Sequence, residues 1–567
     1  MANVTLVPLA SQPTGKAAVV SYNELLKHPE LYYAGIDLVW VTTASCLVFV
    51  MIPALSLIYS GLSNRSFALT LFRLPMITGA CVGMQWVLWG YLVTFSDSAL
   101  SSNWWGGQAS AGGYKSVLGM PISVGDGTNT DAVVPELLFA LYEGMFASFT
   151  AAVVCGGTMQ RARPQRFIIF ITLWSLLVYD PVARWSWSKN GWLKVLGTLD
   201  FAGGTPVHIV SGTTVAAFAI FCSIESNKGP SEFYRAAANR VISRAKEAFY
   251  NVRCIVDIAY GLLTFGRHAL EDKEPPMNIE QPLFKKAAAS FPYNVNFVVL
   301  GTSLLWFGWA GFNGGSALGG NLRAVSAWTS THVAACAGGT TGVLWIWAAK
   351  GIQSLAEQNP SMDSEYRDSS LDHGGAQPEF SRLSVWSFCD GAISGLIAIT
   401  PAAGYVPVWS AAIFGVVGAI GVNFLKQEAA FFLRNDPFHI FAMHSGGGVI
   451  GMVLTGIFAD PTTTGLDGHS TLPNPDYTMA KRVGLQLADV ACGGVYTFVM
   501  TLGILYFLKA VAVLLRITKW DTSCVDIPGD MFQAVLQQQW EGHIDPETGA
   551  LKPKEKPAQA TGSYWPS

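Results

Sequence analysis

Two histidines lie in apolar segments at the same spacing from an acidic residue. The pattern Asp-x7-His-x3-Gly occurs twice, once from Asp200 to His208 and once from Asp436 to His444. Ionisable side chains in apolar surroundings are energetically expensive, so each of them is a functional hypothesis. Two imidazoles close together in a low dielectric cannot both be cationic without cost, and they are expected to share one proton. The pair therefore predicts a proton relay or a row of hydrogen-bonding groups.

Four further ionisable side chains fall inside apolar segments, namely Glu143, His332, Asp390 and Asp489. Asp390 and Asp489 are expected to make hydrogen bonds between helices, an interaction that stabilises by about 0.6 kcal/mol on average in membranes. His332 has no counterpart in the other half of the chain, and packing is its expected role. The role of Glu143 stays open.

The composition identifies the class of protein that must position these groups. The 567 residues are 51% hydrophobic and only 13% charged, whereas soluble globular proteins carry about 25% charged residues. Disorder is excluded, because it needs low hydrophobicity and high net charge. A formal net charge of −3 offers no cationic surface for nucleic acid. The composition predicts an all-α polytopic membrane protein.

Cysteine usage and motif content argue against a metal site, a cofactor or an enzyme. The nine cysteines include no CxxC pair, so neither a disulfide framework nor a zinc site is indicated. No nucleophile–base set, metal-ligand cluster or phosphate-binding loop is present in the sequence. We therefore expect no cofactor and no catalytic activity.

Eleven segments are predicted to cross the bilayer, whose core takes about 20 residues per helix. They are residues 37–60, 69–96, 134–158, 166–183, 201–223, 295–314, 324–349, 385–400, 406–425, 438–458 and 483–514. The eighth is the shortest, and Pro401 ends it.

The distribution of basic residues orients these spans, because short cytoplasmic loops collect Lys and Arg. The loop at 160–166, after the third span, has three arginines and no acidic residue. It is predicted to be cytoplasmic, which puts the N-terminus outside the cell and the C-terminal tail in the cytoplasm of a plasma-membrane protein. Asn3 would then stand in an exposed glycosylation sequon, Asn-Val-Thr.

The two Asp-His motifs lie five spans apart and therefore cross the membrane in opposite directions. Inverted repeats with a central site are typical of transporters. Gly212 and Gly448, four residues beyond the histidines, allow helices to approach closely. The predicted organisation is an extracellular N-terminus (1–36), a first five-helix repeat (37–223), a cytoplasmic insert (224–294), a second five-helix repeat (295–458), an outer loop with the eleventh helix (459–514) and a cytoplasmic tail (515–567).

Several motifs in the apolar segments occur together in one known family. They are Asp200-Phe-Ala-Gly-Gly-Thr-Pro-Val-His208, Trp306-Phe-Gly-Trp-Ala-Gly-Phe-Asn-Gly-Gly-Ser316, the glycine- and alanine-rich run 391–404, His444 with its trailing glycines, Gln85-Trp-Val-Leu-Trp-Gly90 and Tyr142-Glu-Gly-Met-Phe146. With these motifs the chain resembles the ammonium transporter family (the Amt/Mep/Rh superfamily), and within it the fungal Mep branch. The resemblance covers the first span to the eleventh.

The resemblance implies eleven helices in an inverted 5+5 repeat, with the N-terminus outside, usually as a homotrimer with one pore per subunit. It implies a membrane protein with ammonium or ammonia as its small-molecule partner. It also assigns roles to individual residues: ammonium recruitment to Phe146, Trp187 and Ser316 with Tyr142 and with Asp200 beneath them, a gate to Phe146 and Phe312, and the pore to His208, His444 and Trp309.

The expected function is ammonium uptake that is electrogenic in sum, and two other functions stay open. One is an ammonium sensor that retains the pore motifs, and the other is a neutral channel for NH₃ or CO₂. The chain also departs from the family at residues 224–292, which are either an inserted segment or an artefact of the gene model, and in its tail after Trp520. Glu143 stands where a neutral amide is more usual.

Overall fold

The computed structural model describes residues 3–6, 18–21, 27–28, 33–63, 65–96, 101–107, 109–117, 119, 121–123, 132–158, 164–226, 294–358, 385–433 and 436–514. Most of these residues are helical. The main helices are α1 (Gly35–Leu62), α2 (Arg65–Gln85), α3 (Glu136–Thr158), α4 (Pro164–Trp174), α5 (Val210–Ser226), α6 (Val295–Gly315), α7 (Leu322–Gln358), α8 (Val385–Ile399), α9 (Val408–Phe432), α10 (Gly447–Phe458) and α11 (Met479–Leu514).

Four of these helices continue through a short π-helical segment, a feature that is rare and frequent at functional sites. Trp86–Gly90 follows α2 and leads into Tyr91–Phe95, and Ser175–Tyr179 follows α4 and leads into Asp180–Trp187. The other two, Gly204–Ile209 and Phe441–Gly446, directly precede α5 and α10.

Each predicted span falls on one of these helices. Within the described residues, nine helical segments are long and apolar enough to cross a membrane, and they correspond to every main helix except α7 and α8. The helix α8 is apolar but has only 15 residues. The predicted class, an all-α multi-pass membrane protein, is confirmed, whereas the number of eleven crossings stays a prediction.

The two halves of the chain meet most extensively where α1 packs against α6. Glycines of α6 make this approach close: a Cβ on Gly301 would lie 2.7 Å from the carbonyl oxygen of Ala54, and one on Gly311 would lie 2.7 Å from that of Ala44. In the first half α3 contacts α1, α2 and α5, and in the second half α7, α8 and α9 contact one another. The last helix, α11, packs on α5, α10 and the segment Gly204–Ile209.

Short elements outside the helices complete the described chain. Two antiparallel hairpins pair Asn3–Leu6 with Ala18–Ser21 and Pro121–Ser123 with Ala132–Pro135. Asn3, the predicted glycosylation residue, begins the first of these strands. Helical turns cover Ala109–Tyr114, Trp192–Leu196, Pro461–Thr464 and Gly465–Asp467. Residues 227–293 and 515–567, which carry most of the predicted insert and the tail, lie outside the described residues.

Candidate functional site

The structure brings the two motif histidines into direct contact. The Nδ1 atoms of His208 and His444 are 3.1 Å apart, and both residues are buried. The ring of His208 stacks on Trp309 at 5.8 Å between centroids and on Phe312 at 6.4 Å. Within the described part of the chain, Nε2 of His208 has no hydrogen-bond partner although it is buried. This nitrogen is therefore available to a small polar molecule in the bore.

A carboxylate caps the π-helical segment that carries His208. Oδ1 of Asp200 accepts hydrogen bonds from the backbone N–H groups of Gly203 (2.8 Å) and Gly204 (2.7 Å), and Oδ2 accepts one from Thr205 (2.7 Å). These donors belong to the unpaired first turn of a helix, where a negative charge is stabilised. Gly203 has φ +115°, a left-handed conformation that suits glycine.

The second histidine is held in the same way. Oδ1 of Asp436 accepts from the N–H of Ile440 (3.0 Å), and Oδ2 accepts from the N–H of Phe441 (2.8 Å). The third residue after this aspartate is also left-handed, but here it is His439, at φ +55°. A left-handed histidine is uncommon and costs more than glycine in that conformation. The repeat in sequence is thus a repeat of local structure.

Small residues let the two histidine segments come together. A Cβ on Gly212 would lie 2.5 Å from the backbone nitrogen of Ser445, and one on Gly448 would lie 3.2 Å from Cβ of His208. The Ser445 hydroxyl donates to the carbonyl oxygen of Ile209 at 3.0 Å, which ties the segments to each other. Larger side chains at either glycine would push the imidazoles apart.

Phe146, which is also one of the predicted recruitment residues, and Phe312 lie between His208 and Trp187. The rings of Phe146 and Phe312 are 4.2 Å apart between centroids, and both are buried. The indole of Trp187 lies edge-on to Phe146 at 5.8 Å, and its Nε1 donates to the carbonyl oxygen of Asp200 at 3.1 Å. On this side of His208 the described structure is thus a stack of aromatic side chains in contact with one another.

Tyr142 and Ser316 lie beside these rings and differ in exposure. The Tyr142 hydroxyl is buried and contacts the carbonyl oxygens of Gly311 (2.8 Å) and Phe312 (2.9 Å). Ser316 is part-exposed, and its hydroxyl also donates to Phe312 O at 2.9 Å. The predicted recruitment residues are therefore brought together, with Ser316 and Trp187 at the open rim and Tyr142 behind them.

The other ionisable groups of the apolar segments have diverse surroundings. Asp390 of α8 accepts a hydrogen bond from Lys426 of α9, as expected for a bond between helices, and this bond is also an ion pair. His332 is exposed, and its ring contacts those of Trp306 and Trp328, at 5.4 and 5.9 Å between centroids. Glu143 is buried, and the charge of Lys194 acts on it.

Asp489 differs from its expected role. Its carboxylate is fully buried, yet neither oxygen makes a hydrogen bond to any residue that the structure describes. The expected bond between helices is therefore wrong for this residue.

Sequence reasoning missed two residues that support the site. The Trp309 indole nitrogen donates to Thr400 Oγ1 at 3.0 Å, and Thr400 lies within the glycine- and alanine-rich run 391–404. Arg323 donates to Gly404 O at 2.9 Å and lies 5.0 Å from the ring of Phe201, next to Asp200. The signal for Arg323 was an arginine close to the start of an apolar segment, which could equally anchor the helix in the interface.

Arg323 also pairs with Asp467 in the loop before α11, at 3.1 Å. Burial acts to raise the pKa of Asp467, but hydrogen bonds from Ser470 and the charge of Arg323 outweigh it and lower the pKa below its usual value. The ionised pair joins the loop to the start of α7. Within the described residues, no three His, Cys, Asp or Glu side chains form a group that could hold a metal ion.

Comparison with known proteins identifies the family. A profile of the Ammonium Transporter Family matches residues 39–238, 276–360 and 378–527. Ammonium transporter 1 of Schizosaccharomyces pombe is 32% identical over 86% of this chain and 80% of its own length, and ammonium transporter MEP2 of Saccharomyces cerevisiae is 32% identical over 84% and 78%. The crystal structure of Candida albicans Mep2 covers 91% of this chain and 93% of its own, with 31% identity and a TM-score of 0.66. The chain belongs to the ammonium transporter family.

Proposed function

We propose that this protein moves ammonium into the cell through a dry pore in which His208 and His444 contact the passing ammonia. The observation that carries the proposal is the buried imidazole pair, with Nδ1 atoms 3.1 Å apart, directly behind two packed phenylalanine rings. The named relatives are ammonium transporters, which supports the substrate. Family membership also supports a transporter rather than an enzyme.

The proposed selectivity rests on the two phenylalanine rings that lie between Trp187 and His208. Ammonium and potassium ions are similar in size, so a rigid ring of carbonyl groups would discriminate poorly between them. Taking an ion out of water costs several kcal/mol or more. Ammonium avoids this cost by giving up its proton and crossing as NH₃, whereas K⁺ has no proton to release.

The residues divide this process among themselves. Trp187, Ser316 and Phe146 receive the cation, which is attracted to the faces of aromatic rings by about 2 kcal/mol or more when desolvated. The negative charge of Asp200 acts from beneath the tryptophan, to which its carbonyl is bonded. Phe146 and Phe312 open for the neutral molecule, which then meets Nε2 of His208. The proton crosses separately, so the whole cycle moves charge.

We further propose a homotrimer in the plasma membrane, with the Asp200 end of the pore outside and the Asp436 end inside. Membership in the family and the basic loop at 160–166 support this assembly and orientation. Native mass spectrometry of the protein in detergent should give three copies, and a monomer would contradict the assembly. Protease digestion of sealed cells should cleave the N-terminal segment but spare the tail.

The central experiment is transport by purified protein in liposomes. A gradient of ammonium should give a transient current, and a gradient of K⁺ should give at least tenfold less. Equal currents for the two ions would overturn the selectivity, and ammonium flux without current would favour a neutral gas channel. Growth of cells that lack their own ammonium uptake, on limiting ammonium, tests the same function in vivo. A variant that signals without transport would favour the sensor.

A further inference from the structure

The carboxylate of Asp489 lies buried in the protein without the partners that an ionised group needs. The residue is on α11, which packs on the segment carrying His208, and its exposed fraction is 0%. Neither of its oxygens makes a hydrogen bond to the described chain. An isolated buried carboxylate is one of the most costly groups in a protein, and it usually neutralises itself.

Within the described residues, neither a cation nor an N–H group bonds to the carboxyl oxygens of Asp489. Asp200 acts on it electrostatically from the facing loop, and the three backbone N–H groups there are already bonded to Asp200. The hydroxyls of Thr198 and Thr205 lie beside it. Thr198 donates its hydrogen to the carbonyl oxygen of Leu193 at 3.1 Å, so its oxygen can only accept from Asp489. Cys492, on the same helix, is the other titratable group on which Asp489 acts.

The side-chain oxygen of Thr205, next to Asp489, also lacks a hydrogen-bond partner. Thr205 Oγ1 is in a residue with 0% exposure and has no hydrogen-bond partner in the described part of the chain. The backbone of Thr205 is bonded to Asp200, and α11 lies so close that a Cβ on Gly493 would be 2.4 Å from Thr205 Cγ2. The Thr205 hydroxyl is a single donor, so it could serve at most one oxygen of Asp489 and would leave the other oxygen of an ionised carboxylate without a partner. A proton on the carboxyl group removes the charge and, in this tight packing, needs no room.

We propose that Asp489 is a proton-binding site, a neutral carboxylic acid that forms a pair with the anionic Asp200. The three N–H donors stabilise the ionised form of Asp200. Asp489 has no such donors within the described residues, and the oxygen of Thr198, whose hydrogen is given to Leu193, can accept the single hydrogen of its acid form. Because burial without partners keeps Asp489 neutral, the pair carries one negative charge rather than two.

The function of this pair rests on the proposed transport function. A single charge beneath Trp187 attracts an ammonium ion to the rim. A second charge would hold the cation more strongly and oppose release of its proton into the pore. Asp489 therefore sets the charge of the recruitment end, although it does not contact the substrate. Asp489 is thus a positioning residue, which acts on the substrate only through the charge around Asp200.

Infrared difference spectroscopy in lipid tests the protonation directly. The spectrum of the wild type minus that of Asp489→Asn should contain the carbonyl band of a carboxylic acid, and this band should shift in D₂O. Asp200→Asn is the matched control and should keep the band, because Asp200 is the ionised member. A difference spectrum with only carboxylate bands would overturn the proposal.

A second variant covers the case in which Asp489→Asn does not assemble. Thr205→Val removes only the hydroxyl beside the acid, so it should shift the acid band without abolishing it. A spectrum that Thr205→Val leaves unchanged would contradict the contact. Melting curves in NaCl, KCl and choline chloride test whether Asp489 binds a metal cation instead of a proton. If Na⁺ or K⁺ raises the melting temperature of the wild type but not that of Asp489→Asn, the site binds that ion and the proposal is overturned. The band is independent of flux, so a wild type that shows the band but carries no ammonium would overturn the proposed function alone.

Discussion

The segments that carry His208 and His444 have the same backbone arrangement, but the charged groups around them differ. At both ends an aspartate caps a π-helical segment, the third residue is left-handed and the eighth is the histidine. Beyond that the ends diverge. Asp200 faces a second carboxyl group, that of Asp489, whereas the positive charge of Lys426 acts on Asp436. The backbone arrangement that the two segments share positions the imidazoles, and the neighbours in which they differ set the local charge.

This difference gives the pore a direction that its repeated backbone does not. Lys426 forms an ion pair with Asp390 and its charge also acts on Asp436, so it weakens the attraction of that end for a cation. No cation plays this part for the pair formed by Asp200 and the proposed neutral Asp489 among the described groups that act on Asp489. Under the proposed orientation, capture takes place outside and release inside. The same fold could run in the other direction if these neighbours were exchanged.

Removing either histidine should have the largest effect and would test whether the two ends act as one unit. His208→Ala and His444→Ala should each lower ammonium flux by about tenfold or more, because the remaining ring loses its partner and a buried group left unpaired costs about 1–3 kcal/mol. Initial rates in liposomes measure the loss. His332→Ala, at an exposed histidine in contact with two tryptophans, is the control and should transport normally. A double variant much slower than either single one would show that the rings act independently.

Removing the caps should separate the two ends by stability. Asp200→Ala leaves three backbone N–H groups without an acceptor, and Asp436→Ala leaves two. Loss of one such cap typically lowers the free energy of unfolding by about 0.5–2 kcal/mol, and we expect Asp200→Ala near the upper limit and Asp436→Ala near 1 kcal/mol. Thermal melting in detergent orders the two. The reverse order would refute a role of donor number.

The left-handed position offers a reciprocal exchange between the ends. Gly203→Ala should lower the free energy of unfolding by about 1–2 kcal/mol, because a Cβ is strained at positive φ and would meet Val207. His439→Gly should raise it by less than about 1 kcal/mol, since the released strain is partly offset by the greater freedom of glycine when unfolded. His439→Asn, which tolerates the left-handed region, is the matched control. A loss of stability in His439→Gly would mean that the imidazole makes a favourable interaction that outweighs its strain.

The smallest effect is expected from neutralising the cation at the Asp436 end. Lys426→Met would make this end resemble the Asp200 end and should slow ammonium release by about threefold, since part-exposed ion pairs contribute up to about 1 kcal/mol. Efflux from loaded liposomes measures the change, and Lys426→Arg should retain the wild-type rate. Faster efflux in Lys426→Met would contradict the assignment of this end to release.

The sequence predicted the elements better than the contacts between them. Apolar length located the main helices, and the spacing around His208 and His444 identified the two segments that meet. It could not reveal that Asp489 lacks hydrogen-bond partners or that Asp390 pairs with Lys426. Both facts depend on which residues of distant helices come face to face. The π-helical turns were also unpredicted, because hydrophobic periodicity locates a helix but does not distinguish α-helical from π-helical hydrogen bonding.

The contact between the two Nδ1 atoms also gives the imidazole pair two tautomeric states. With neutral rings, one hydrogen lies between these atoms. When Nδ1 of His208 donates it, Nε2 of His208 has no hydrogen and Nε2 of His444 carries one. When Nδ1 of His444 donates it, the two Nε2 atoms exchange these roles. Under the proposed function, a proton that binds at Nε2 of His208 moves the shared hydrogen to His444 and releases the hydrogen on Nε2 of His444. The pair is then in its opposite tautomer and cannot accept a second proton from the same side. It must be reset after each passage, so the rate of tautomer reversal sets an upper limit on proton flow.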